Sequence, residues 1–106
     1  MPENTNNAQN VIVVRVYLTE GKGQMEQLLK KLHDQFQIRG VTVFRGVSGF
    51  GQSGKLHESS LLDLSLDLPV VLEFFDIPEK IQPVIVELKQ TLKPGHYIYW
   101  SANTNF

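Results

Sequence analysis

A glycine-rich segment, "RGVSGFGQSGKLHES" (residues 45–59), separates two stretches of alternating apolar residues. Glycines allow backbone N–H groups to approach an anion closely, and successive N–H groups can form an anion-binding concavity. The segment leads into another strand-like stretch instead of opening a helix, so it lacks the helix N-terminus that dinucleotide-binding loops use. The residues alone leave two interpretations open, an anion-binding loop and a mobile hairpin loop.

Charged side chains lie in this loop and in the strands beside it. Arg15 and Arg45 each interrupt an apolar strand pattern, and such a charge requires either an acidic partner, such as Glu73, or an anionic ligand. Lys55 could contact a phosphate, although a loop lysine is more often simply solvated. The histidines show no metal-binding spacing, and no Ser-His-Asp set or carboxylate pair indicates catalysis. We therefore expect no metal site, no catalytic residue and no enzymatic activity.

The composition limits the classes of protein that the chain can belong to. It has 106 residues, of which 42% are hydrophobic, a net charge of −1 and no cysteine. This length fits one domain, which we place at residues 11–106 after a polar, disordered leader at residues 1–10. The spread of charge argues against nucleic-acid binding, and no apolar run is long enough to insert into a membrane. The absence of cysteine and of a signal peptide is compatible with a cytoplasmic location, which we expect.

The hydrophobic periodicity predicts two helices and four strands. Strands are expected at residues 11–18, 41–48, 69–75 and 96–102. The first helix carries the stripe Met25, Leu28, Leu29, Leu32 and Phe36, and the second carries Ile81, Ile85, Leu88 and Leu92. Gly40 suits a left-handed position after the first helix, and Asp76 with Glu79 resembles a capping box before the second. Pro83 indicates that the second helix either starts late or kinks.

The order β-α-β-β-α-β predicts an α+β fold, the ferredoxin-like sandwich with a four-stranded antiparallel sheet. Both helices cover one face of this sheet, and a long loop joins its second and third strands. The other face is also apolar, with Tyr17, Tyr97 and Tyr99, or Ile98 and Trp100, exposed there according to the register. Subunits are therefore expected to pack sheet to sheet.

The segment "GVTVFRGVSGFGQSGKLHES", followed by "DLPVVLEFFD", resembles the nitrogen-regulatory P-II superfamily. Within that superfamily the chain is similar to the P-II-like DUF190 family, in "RVYLTEGKG", "RGVTVFRGVSGFG", "HESS" and "LDLPVVLEFFD". The resemblance covers residues 11–103. It implies a ferredoxin-like homotrimer whose three long loops project from one end.

The resemblance also implies where a ligand would bind. P-II proteins hold adenine nucleotides in the clefts between subunits, at the base of the loop. The matching backbone here is Gly49, Phe50 and Gly51, and Gln52 or Ser53 takes the place of a polar side chain that helps to hold metal and effector. We add Arg45 and Lys55 as sources of positive charge. Before the last strand, "TLKPGH" replaces the longer phosphate-gripping loop of P-II proteins, so a mono- or diphosphate nucleotide is expected, and no cofactor is required.

Together these features predict a regulatory trimer that senses a small anionic ligand and signals through its loop. His57 and Glu58 would lie on the arm that contacts a partner, which the resemblance suggests is a membrane transporter or another regulatory target. Residues 52–66 are expected to be the least ordered part of the chain after the first ten residues, because the glycine, serine and charged residues of its first half bury little apolar area. The alternatives are a structural or interaction trimer without nucleotide and a small enzyme.

Overall fold

A computed structural model of the chain describes residues 8–19, 21, 23–50, 57–58 and 68–105. Its elements are β1 (Ala8–Thr19), α1 (Gln24–Asp34), β2 (Val41–Arg45), β3 (Ser48–Gly49), β4 (His57–Glu58), β5 (Pro69–Asp76), α2 (Pro78–Thr91) and β6 (Tyr97–Asn105). The main sheet is antiparallel with the order β2-β5-β1-β6, and β3 pairs with β4 in a separate two-stranded sheet. The predicted ferredoxin-like fold, with two helices and a four-stranded sheet, is confirmed.

The core lies between the helices and one face of the sheet. Val14 and Val16 of β1 alternate with outward-facing residues and are fully buried, as are Val70 and Leu72 of β5. The helices contribute the buried side chains Met25, Leu28, Leu32, Ile81, Val84 and Leu88. Burial of this apolar area from water is the main stabilising contribution to the fold. An ion pair between Lys31 Nζ and Glu87 Oε2, at 2.8 Å, joins the outer sides of the two helices.

Several predicted boundaries differ from the observed ones. The strand β1 begins at Ala8 and not at residue 11, because its first three residues pair with Asn103, Thr104 and Asn105 of β6. Backbone pairing does not require apolar side chains, so the hydrophobic pattern could not reveal this extension. Residues 1–7 of the predicted leader lie outside the described residues. The predicted second strand, 41–48, ends at Arg45, and the last strand runs to Asn105 instead of residue 102.

The prediction that Gly40 takes the left-handed position after α1 is wrong. The helix ends at Asp34, and Gln37 takes the left-handed conformation with φ 52°. The Ile38 N–H donates to the Leu32 carbonyl at 2.9 Å, and the Lys80 ammonium donates to the Gln37 carbonyl at 2.8 Å. These two hydrogen bonds hold the turn in place, so glycine is not needed there.

The predicted capping box at Asp76 is also wrong. The helix α2 begins at Pro78, Ile77 occupies the cap position without a side-chain cap, and Pro83 lies inside the helix. Asp76 is the last residue of β5 and is 1% exposed. Its carboxylate accepts hydrogen bonds from the Ile77 N–H at 2.8 Å and from the Arg39 N–H at 3.0 Å. It therefore ties the turn before β2 to the start of α2.

Candidate functional site

The long loop leaves the sheet at a compact base formed by β2, β3, β4 and β5. The Gly46 N–H donates to the Pro69 carbonyl at 2.8 Å, which continues the pairing of Arg45 with Val70 by one residue. Ser48 then pairs with Glu58, and Gly49 with His57. The two arms of the loop are therefore joined by backbone pairing directly above the end of the main sheet.

The predicted site residues are only partly within the described chain. Arg45 is exposed at the end of β2, Gly49 is half-buried and Phe50 is 75% exposed. Arg45 was interpreted as part of a central strand, but β2 is an edge strand of the sheet. The other predicted ligand residues, Gly51, Gln52, Ser53 and Lys55, lie outside the described residues, as does most of the segment 52–66 expected to be least ordered.

The structure brings together two segments for which separate roles were predicted. Gly49 belongs to the predicted ligand segment and His57 to the predicted partner segment, and the two are direct neighbours across the β3–β4 ladder. Glu58 is placed in the same way opposite Ser48. Backbone pairing therefore links the predicted ligand segment to the predicted partner segment.

The glycines at the loop base are explained by close packing. Positive φ angles among the described glycines occur at Gly21, Gly23 and Gly95, and not at Gly46 or Gly49. A Cβ on Gly46 would lie 2.6 Å from Pro69 Cγ, and one on Gly49 would lie 3.2 Å from the same atom. The absence of side chains lets both residues approach the proline ring. From the sequence, Pro69 was predicted only to begin a strand, and this packing role was not foreseen.

The sheet face opposite the helices carries an ion pair at its centre. Arg15 Nε donates to Glu73 Oε1 at 2.6 Å, which confirms the predicted acidic partner. This hydrogen bond, with a smaller contribution from Tyr17, raises the pKa of Arg15 above its usual value. The guanidinium also lies 5.8 Å from the centroid of the Trp100 ring, a cation–π contact that the sequence did not indicate.

Apolar side chains surround this ion pair and remain accessible in the single chain. The register places Tyr17, Ile98 and Trp100 on this face and Tyr97 and Tyr99 on the helix side, which settles the alternative left open by the sequence. The large, partly exposed members of the face are Tyr17, Phe44, Phe75, Ile98 and Trp100, each between 39% and 48% exposed. We refer to these five residues as the open sheet face.

One groove on the described chain lies away from the loop base. It has a volume of about 520 Å³ and lies between α1 and the start of β2, lined by Leu29, His33, Ile38 and Val41 among others. Because Val41 and Arg45 occupy opposite ends of β2, this groove is separated from the loop by the length of that strand.

In the part of the chain that the structure describes, no group of three or more His, Asp or Glu side chains is arranged to hold a metal ion. Neither of the described helices is long and apolar enough to cross a membrane. Every buried side-chain nitrogen or oxygen of the described residues has a hydrogen-bond partner.

Comparison with known proteins gives consistent matches over most of the chain. The sequence pattern of the DUF190 family, described as Uncharacterized ACR, matches residues 11–104. A UPF0166 protein of Methanocaldococcus jannaschii is 34% identical over 85 residues, which cover 76% of this chain and 78% of the relative. A UPF0166 protein of Aquifex aeolicus is 32% identical over 82 residues, covering 77% and 83% of the two chains.

Solved structures with the same fold are more distant in sequence. CPII, a nitrogen regulatory PII-like protein from Thiomonas intermedia K12 bound to ADP, AMP and bicarbonate, superposes with a TM-score of 0.67 at 16% identity, covering 93% of this chain and 90% of CPII. CutA1 from Oryza sativa superposes with a TM-score of 0.60 at 12% identity, covering 94% and 84%. These similarities establish a P-II-like fold.

Proposed function

The chain belongs to the DUF190 family, and from this membership we propose that it is a regulatory protein that senses an adenine nucleotide. The observation that carries the proposal is the backbone pairing of Gly49 with His57 at the loop base. This pairing joins the predicted ligand segment to the predicted partner segment. The P-II-like protein CPII, which shares this fold, is bound to ADP and AMP. An anionic ligand at the glycine-rich arm would act on the second arm through that ladder.

The working form of the protein in this proposal is a homotrimer whose subunits meet through the open sheet face. The helices cover one side of the sheet, while Phe44 and Ile98 on the other side are 48% and 47% exposed in the single chain. Apolar patches of this kind on a small domain commonly mark protein interfaces. Association in this proposal would also place a neighbouring subunit beside the loop base, so that the ligand cleft lies between subunits.

Signalling in this proposal uses the arm that contains His57 and Glu58 to contact a partner protein. The resemblance to P-II proteins suggests a membrane transporter or another regulatory target, reached from the cytoplasm. Nucleotide binding would change the loop conformation and so change the affinity for the partner. By thermodynamic linkage, partner binding would alter nucleotide affinity by the same factor.

Replacing Arg45 by alanine tests the ligand site. Titration calorimetry with ADP should show affinity weakened by ~10-fold to ~150-fold, because a hydrogen bond to a charged group contributes ~1.5–3 kcal/mol. The difference should shrink at high salt, since Arg45 is exposed. AMP should also bind to the unmodified protein, and ATP should bind more weakly than ADP.

Arg39→Ala is the matched control for this experiment. Arg39 is also an exposed arginine, and it lies just before the start of β2, whereas Arg45 lies at the end of that strand. The alanine variant removes the same charge and retains the backbone N–H that donates to Asp76. We expect its ADP affinity to stay within about twofold of the unmodified protein. If neither AMP nor ADP binds to the unmodified trimer, the nucleotide-sensing proposal fails, and an interaction trimer without nucleotide becomes the better description.

A further inference from the structure

Pro69 forms a rigid contact surface against which the loop base is folded. Its ring fixes φ, and as the first residue of β5 it pairs with Thr19 of β1 while its carbonyl accepts the Gly46 N–H. The ring is half-buried, whereas Val47, at the turn between the two glycines, is 76% exposed. The segment from Gly46 to Gly49 therefore curls around the ring and keeps its one bulky side chain away from it.

The packing at this contact leaves no room for a side chain on Gly46. A Cβ there would lie 2.6 Å from Pro69 Cγ and 3.3 Å from the Pro69 carbonyl oxygen. The ring cannot rotate away as a flexible side chain would, because it is closed onto the backbone. The Gly46 backbone cannot move away from the ring without breaking the 2.8 Å hydrogen bond from its N–H to the Pro69 carbonyl.

We propose that Pro69 and Gly46 are positioning residues for the ligand segment. Their contact sets the direction in which the chain leaves β2, and so sets where the backbone N–H groups of Gly49 and Phe50 lie. This inference rests on the proposed nucleotide site, because it assigns the contact a role in binding as well as in folding. Neither residue needs to touch the nucleotide itself.

The experiment is a double-mutant cycle with Gly46→Ala and Pro69→Ala, read by ADP titration calorimetry. Gly46→Ala should weaken ADP binding about tenfold, because overpacking beside a rigid ring displaces the backbone. Pro69→Ala removes Cγ and with it the 2.6 Å clash, leaving distances of 3.3 Å to the carbonyl oxygen and 3.5 Å to Cβ. In the Pro69→Ala background, Gly46→Ala should therefore cost less than about threefold.

A second readout follows the loop base without any nucleotide. Amide hydrogen exchange at residue 46 and at Glu58 should be about tenfold faster in Gly46→Ala than in the unmodified protein, with unchanged exchange at Val16 in the core. Gly40→Ala is the matched control, since a Cβ at Gly40 would meet no atom within 4 Å. It should leave both ADP affinity and exchange at the loop base unchanged.

The two readouts separate this inference from the proposed function. The positioning role would be overturned if Gly46→Ala changed neither the amide exchange rates nor the ADP affinity. It would also be overturned if Gly46→Ala lowered ADP affinity equally with proline and with alanine at position 69. If the unmodified protein binds no ADP, the proposed function fails and the role in ligand binding fails with it. Faster exchange in Gly46→Ala would still establish, in that case, that the contact holds the loop base.

Discussion

A chain in which Phe75 is replaced by glutamate is expected to sediment as a single copy of 12.0 kDa, while the unmodified chain sediments at about three times that mass. Phe75 lies on the central strand β5, within the open sheet face, and is 39% exposed. Burying a phenylalanine side chain in an interface stabilises the association by ~1.5–3 kcal/mol, and burying an unpaired carboxylate in its place costs several kcal/mol more. In the proposed trimer each subunit carries the change, so every interface is affected.

The control for this variant is Val86→Glu, which places the same charge on an exposed apolar residue of α2. Val86 is 56% exposed on the helix side of the molecule, away from the proposed interface. We expect sedimentation velocity to give the mass of the trimer for Val86→Glu and circular dichroism to show native secondary structure for both variants. A folded Phe75→Glu chain that remains trimeric at micromolar concentration would exclude the open sheet face as the interface.

Replacing Asp76 by alanine is expected to lower the free energy of unfolding by ~3–6 kcal/mol, because two hydrogen bonds to the charged carboxylate are lost and each contributes ~1.5–3 kcal/mol. The buried carboxylate accepts the N–H groups of Ile77 and Arg39, and alanine leaves both without this partner. For a domain of this size, the melting temperature should fall by ~12 °C or more. Urea titration followed by circular dichroism measures the loss directly.

Two further substitutions establish that the effect comes from these hydrogen bonds. Asp76→Asn retains one carbonyl acceptor and should show an intermediate loss of stability. Asp34→Ala removes an exposed aspartate that contacts the His33 ring at 2.7 Å, and it should change stability by less than ~0.5 kcal/mol. Equal stability of Asp76→Ala and Asp34→Ala would show that the turn before β2 is held by other contacts.

The fold was predictable from the sequence because its apolar residues repeat with clear periods. The alternation of Val14, Val16 and Leu18 gives the inward face of β1, and the stripe of Met25, Leu28 and Leu32 gives that of α1. Boundaries set by polar backbone contacts were not predictable in the same way. The left-handed turn at Gln37 is held in part by the hydrogen bond from Lys80, which is 43 residues away in the chain, and residue type alone does not reveal such a contact.

The candidate site was predictable only in part, for a related physical reason. A charge within an apolar strand requires a partner, and Arg15 found the predicted Glu73 because the two residues face each other in the register. The contact between Gly46 and Pro69 joins positions 23 residues apart and depends on the angle at which the loop leaves the sheet. Sequence spacing carries no information about that angle, so the close packing of this glycine against the proline ring was not predicted.

The pairing of Ala8 with Asn105 determines how the protein should respond to mechanical force. The two residues lie opposite each other at one end of the β1–β6 ladder, so a pull applied between them loads the hydrogen bonds one pair at a time. Optical-tweezer extension from these two positions should therefore separate β6 from β1 at low force, beginning with the polar pairs. The loop base, beside Thr19 and Pro69 at the far end of β1, should be among the last regions to experience the load.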